Sequence, residues 1–174
     1  MILATAFGGC SSKPKEPDVP SVMDDLKSTD PDKRGAANLE IMAAGEPFVP
    51  ALVEMLQGPD PVHRATAVST LSAIGAKGKA AVPALAAVLA DPDKELRIAA
   101  AMALENMGPA AEEAVPALTR ALKDPEGRMR QRAAIALGSI GPAARAAIPA
   151  LAEAAKWDPV RPAAEAAIQK IRGR

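Results

Sequence analysis

Few residues in this chain have a type and spacing that could do chemistry. Histidine occurs once, as His63, and a lone imidazole cannot supply the several ligands that a metal site needs. Cysteine also occurs once, as Cys10, so no internal disulfide can form. No glycine-rich phosphate loop follows a strand pattern, and Gly75 and Gly78 read as turn glycines. Arginine, in contrast, recurs at one fixed place: Arg34, Arg64, Arg97, Arg130 and Arg161. Eleven residues after each of the first four stands a glycine: Gly45, Gly75, Gly108 and Gly141. A guanidinium is permanently charged and offers a planar fork of donors. A row of them either ties repeated units together or presents a row of binding groups. Catalytic residues, metal ligands and cofactors are not expected.

The elements that position these arginines come from a phrase that returns. I-G-A-K-G-K-A-A-V-P-A-L begins at Ile74, M-G-P-A-A-E-E-A-V-P-A-L at Met107, and I-G-P-A-A-R-A-A-I-P-A-L at Ile140, a step of 33 residues each time. A fixed period of this length marks a stack of near-identical supersecondary units. Val49-Pro50-Ala51-Leu52 is an earlier copy of the phrase, and Val19-Pro20-Ser21-Val22 is a degenerate first one. Each copy opens a short first helix, with proline in the first turn, where its missing N–H costs nothing. A proline-containing turn follows each time: Asp30-Pro31, Gly58-Pro59, Asp91-Pro92, Asp124-Pro125 and Asp158-Pro159. Aspartate before proline predicts the N-cap of a second helix, and the glycine after the arginine predicts its left-handed C-cap.

Counted from the arginine, the second helix should bury positions +3, +4, +7 and +10. These are Ala100, Ala101, Leu104 and Met107 in one unit and Ala133, Ala134, Leu137 and Ile140 in the next. The end units depart from the pattern, with Asn38 at +4 in the first and Pro162 at +1 and Glu165 at +4 in the last. Terminal repeats have one side against water and should be atypical. Alanine dominates the composition and tyrosine is absent, which favours close helix packing. The expectation is an all-α solenoid, a right-handed superhelix of about five helix pairs over residues 19–174. Trp157, beside the displaced Asp158-Pro159 turn, is expected to pack.

The pattern resembles HEAT repeats, in particular the short bacterial class first noted in phycobilisome lyase subunits. Asp91-Pro92-Asp93, Arg97, Ala100, Ala101, Leu104, Gly108 and Val115-Pro116-Ala117-Leu118 carry the match. The resemblance implies that the repeated aspartates and arginines form a structural ladder along the stack, through Arg34, Arg64, Arg97, Arg130 and Arg161. It also implies a concave face lined by the second helices. The family spans scaffolds, lyase subunits and a few enzymes, so it indicates a fold more than an activity. An iron-holding member of the fold uses His-Glu pairs, and none is present here.

At the N-terminus, residues 1–9 are apolar and small and lead to Cys10, followed by a polar, proline-containing linker over residues 11–18. Gly8-Gly9-Cys10 resembles the end of a bacterial lipoprotein signal, which implies lipidation at Cys10 and membrane anchoring at the cell envelope, facing the periplasm or exterior. The alternative is an unmodified tail on a cytoplasmic protein. The apolar run is short and no base precedes it, as a start codon placed too far downstream would produce.

Charges balance overall, 21 basic against 21 acidic, so no global field argues for nucleic acid. Acids are concentrated over residues 16–60 and bases over residues 120–174. At 100° per residue, the second-helix side opposite the core comprises +1, +2, +5 and +9. It holds Leu39, Thr66, Ser69, Ile98, Met102, Arg132 and Ile135 and is poor in charge. Either neighbouring second helices bury these flanks, or they form an apolar groove for a partner's helix or extended segment. The function expected is a noncatalytic scaffold for a protein or peptide. The alternatives are a nucleic-acid binder using the basic C-terminal units and an accessory subunit of a lyase-type enzyme.

Overall fold

The computed structural model describes residues 16–173. Cys10 and the segment read as a lipoprotein signal lie outside them. Among the described residues there are ten α-helices and no strand. They form five pairs: α1 (Val19–Lys27) with α2 (Pro31–Ala44), α3 (Val49–Gln57) with α4 (Pro61–Ile74), α5 (Val82–Val88) with α6 (Lys94–Met107), α7 (Val115–Ala121) with α8 (Gly127–Ile140), and α9 (Ile148–Ala154) with α10 (Arg161–Arg172). Each pair packs on itself, and α2, α4, α6, α8 and α10 stack in sequence as one layer. The chain is an α-solenoid, as its period predicts.

Local chemistry sets the boundaries, with one shift from the expected register. Asp30 caps α2 as expected, accepting the N–H of Asp32 at 2.9 Å. There and in the next three units the cap lies four residues before the arginine. Asp60 accepts from Val62 and His63, Asp93 from Glu95, and Glu126 from Arg128. Asp91 and Asp124 therefore are not helix caps. Each accepts the N–H two residues on, at 2.9 and 2.8 Å, and so closes the turn between the paired helices. α10 has no side-chain cap.

Gly45, Gly75, Gly108 and Gly141 end the second helices at φ of 71, 60, 56 and 77°, as expected. Their ψ values, −97 to −141°, lie outside the left-handed helical well. This region is closed to a residue with a Cβ, so the requirement for glycine is stricter than an ordinary left-handed cap imposes. Each of the last three glycines opens a seven-residue 3-10 segment that leads into the next first helix, whereas the segment after Gly45 is only Glu46–Phe48, three residues. The apolar helical stretches Pro61–Val88 and Gly127–Ala154 are each long enough to cross a bilayer. Each is interrupted by one of these glycines, Gly75 or Gly141, and joins two packed repeats rather than forming a continuous span.

All eight predicted core positions of α6 and α8 are buried. The buried arc is wider than the sequence pattern indicates. Position −1 (Leu96, Met129, Val160) and position +6 (Thr70, Ala103, Ala136, Ala167) are buried too, because α4, α6 and α8 each pack against a second helix on either flank and α10 packs against α8. Alanine at +6 allows close approach: a Cβ on Gly138 of α8 would lie 2.9 Å from the Ala167 Cα of α10. The aberrant Asn38 has a structural reason as well. Its side chain accepts from the Thr70 hydroxyl at 3.1 Å, which pairs the one buried polar side chain among the core residues.

Candidate functional site

The layer of second helices turns one side away from the first helices. At position +5, Leu39 is 71 % exposed and Met102 39 %, Ser69 is exposed, and Ile135 is partly buried. Met42, three residues beyond Leu39, is 46 % exposed and was not singled out by the sequence pattern. It sits at +8, where Gly138 of α8 is buried against α10 and Ser72 and Glu105 are partly buried. Thr66 is partly buried and its hydroxyl donates to the Val62 carbonyl at 2.9 Å, so it is engaged with its own helix. Arg132 lies within 3.4 Å of Glu105 across the α6–α8 interface and is thus neutralised locally. Ile98 corrects the expected face: it is 4 % exposed and belongs to the core. At 100° from the arginine it lies only 60° from position +4, on the flank that meets the next second helix, and not on the open side.

The arginines do form a ladder, but only at its centre. Arg64 pairs with Asp91, and Arg97 with Asp124, each 27 residues on and in the next turn region. In the second rung, Arg97 Nε donates to Asp124 Oδ2 at 2.9 Å and Nη2 to Oδ1 at 3.1 Å, a bidentate pair with side chains 12 and 10 % exposed. Its Nη1 donates to the carbonyls of Asp91 and Pro92. Burial works to raise the Asp91 carboxyl, but the N–H of Asp93 and the Arg64 guanidinium, with Arg97 nearby, outweigh it and hold the group below its ordinary 3.8.

At the ends the ladder changes. Gly58 stands where Asp91 stands one unit later, and Arg34 donates to its own turn, to the Ser28 carbonyl at 2.8 Å. Arg161 donates to the Ala155 carbonyl and pairs with Asp158, three residues before it. Arg130 keeps the carbonyl contacts of Arg97, to Asp124 and Pro125, but 27 residues on it meets Trp157. The Trp157 ring lies over the guanidinium, its centroid 5.3 Å from Cζ. Trp157 is 59 % exposed, so the expectation that it packs into the fold is corrected: its ring lies largely in water over the partly buried Arg130 guanidinium. His63 is partly exposed and lies 3.8 Å from the Asp60 carboxylate. Among the described residues no group of three or more histidine, cysteine, aspartate or glutamate side chains could hold a metal.

Five stacked helix pairs with an internal arginine–aspartate ladder define a helical-repeat solenoid. The HEAT-repeat profile matches residues 19–105 and again 82–172, so the chain belongs to the HEAT-repeat family. No curated protein sequence matches it. Among solved structures, the complex of CpcE and CpcF of phycocyanin lyase from Nostoc sp. PCC7120 aligns with a TM-score of 0.68 and 22% identity, over 86% of this chain and 96% of that one. A designed armadillo repeat protein in complex with the peptide (KR)4 aligns at 0.60 and 19% identity, over 88% and 82%. An engineered protein aligns at 0.57 and 24% identity, over 89% and 79%. These are likenesses of fold.

Proposed function

We propose that this protein is a noncatalytic scaffold that holds a helix or extended segment of another protein against its layer of second helices. The observation that carries the reading is the face itself. Leu39, Met42 and Met102 are exposed there, Ile135 is partly exposed, and Arg132 on the same face is engaged by Glu105. Large apolar side chains kept in water on a charge-poor face are characteristic of protein contact surfaces, and methionine adapts to varied ligands. A similar solenoid holds a peptide, and another occurs in a two-protein complex, which supports the reading by analogy. Service as an accessory subunit of an enzyme is the same reading with a catalytic partner. Nucleic acid is not the expected occupant, because this face offers no row of uncompensated bases.

The test is Leu39→Lys combined with Met102→Lys, both at exposed positions, in affinity capture from the native cell. Unchanged melting with loss of a specific, stoichiometric partner is the expected result. Capture of the same partner by the charged variant would place binding elsewhere. We further propose lipid attachment at Cys10 and residence at the bacterial cell envelope, supported by Gly8-Gly9-Cys10. Cys10→Ser should move the protein out of the membrane fraction. An unchanged location would overturn the anchor without touching the scaffold reading.

A further inference from the structure

The two rungs at Arg97 and Arg130 begin alike and end differently. In both, Nη1 is held by two carbonyls of the preceding turn, so both guanidinium groups are presented in the same way. At Arg97 the Nε–Nη2 edge grips the carboxylate of Asp124. At Arg130 the residue in that register is Trp157, because the Asp-Pro pair has slipped by one to Asp158-Pro159. Asp158 pairs with Arg161 instead, at 2.7 Å. Among the described residues, Arg130 Nε is the buried side-chain polar atom that has no hydrogen-bond partner. A buried unpaired donor is costly, and on a charged group more so.

Beside it lies a cleft of about 390 Å³ between the turn that follows α7 and the end of α9. Arg130 and Trp157 line it with the apolar Leu122, Ala150 and Ala154, and Lys123 adds a second cation. Its two acidic residues are committed: Asp124 to Arg97, and Glu153 to Lys156 at 2.6 Å. The indole that stands over Arg130 makes no side-chain hydrogen bond among the described residues that would fix it, and it is largely exposed.

We propose that this cleft binds a carboxylate attached to an apolar group. The carboxylate takes the Nε–Nη2 edge of Arg130 as Asp124 takes that of Arg97, and the Trp157 indole turns from the guanidinium to pack on the apolar part. The carboxylate is that of a small organic acid or the C-terminus of a peptide. The site is separate from the second-helix face, and its failure leaves that face untouched.

Trp157 is the only tryptophan, so its emission reports on the cleft directly. The full chain is titrated with phenylacetate and with a short acetylated peptide ending in phenylalanine. Each is compared with its amide, and calorimetry follows the same additions. One acid or both should bind at least about tenfold more tightly than the amide, since the charge-assisted fork is lost in the amide. A response to phenylacetate alone assigns a small acid, and a response to the peptide alone assigns a chain terminus. Trp157→Asp supplies a carboxylate from the chain itself and should abolish the preference for acid in calorimetry while keeping or raising the melting temperature. Arg130→Lys, which keeps the charge and loses the fork, should reduce the preference to less than about threefold. Equal binding of acid and amide, no response to any of the four probes, or an undiminished preference in Arg130→Lys would each overturn the proposal.

Discussion

The Arg97 and Arg130 rungs occupy equivalent places in successive repeats, and the cores around them share several buried residues. Leu104 and Leu137 are both fully buried, and Ala100 and Ala101 match Ala133 and Ala134. Only the residue received from the next unit differs, Asp124 in one and Trp157 in the other. In a one-dimensional stack each unit contacts its neighbours alone, so a single-residue slip alters one rung and leaves the rest in register. The C-terminal rung thereby joins its units through a cation–ring contact and not through an ion pair.

The largest expected effects test whether the two cores are equivalent. Leu104→Ala and Leu137→Ala should each cost about 2–5 kcal/mol in urea unfolding, since both leave cavities under the same contacts. Values that differ by more than about 2 kcal/mol would show that the equivalence is superficial. The rungs should then separate. Arg97→Leu strands the nearly buried Asp124 carboxylate and should cost about 3 kcal/mol, whereas Arg130→Leu strands no carboxylate and should cost clearly less. Equal losses would mean that the carbonyl contacts, which the two share, carry the rung.

A smaller effect is expected from the backbone that carries both helices. Gly108→Ala puts a Cβ on a residue at φ 56°, ψ −130° and should cost about 1–3 kcal/mol, measured by the same unfolding. A similar cost for Gly141→Ala is expected, because it stands at φ 77°, ψ −141°, in the same glycine-only region.

The smallest effect is in acid. The folded Asp91 carboxyl is held below 3.8, so its contribution is fully present above that value and is lost as pH falls through the lower folded value. The Arg64–Asp91 rung should therefore weaken below pH 3.8, and Asp91→Asn should flatten that part of the stability profile. An identical acid limb in wild type and variant would remove Asp91 from the account.

Much of the fold was legible because it repeats. The Val-Pro-Ala-Leu phrase, the arginine and the glycine cap each recur, so a weak local signal at one place is reinforced at the next. The face was legible only in part. Leu39 and Met102 emerge where 100° spacing places them, but Ile98 does not. Helical periodicity describes one helix against one core, whereas α4, α6 and α8 each also touch two neighbouring second helices, and the width of that contact belongs to the stack. Met42 escaped notice for the converse reason: its position is at least partly covered in α4, α6 and α8 and open in α2.

By itself, the sequence determined the repeat, the number of helix pairs, the proline-started first helices and the need for glycine at each second-helix end. The helix starts and ends arise within about a dozen residues, from φ restrictions and apolar spacing, and the repeat and the number of pairs follow from their recurrence. Tertiary structure alone decided which carboxylate each arginine meets. Asp91 and Asp124 read as helix caps because the local pattern is satisfied either way. Across 27 residues the partner depends on how one unit rests on the next, and there Asp124 closes a rung while Trp157 leaves the Arg130 Nε unpaired.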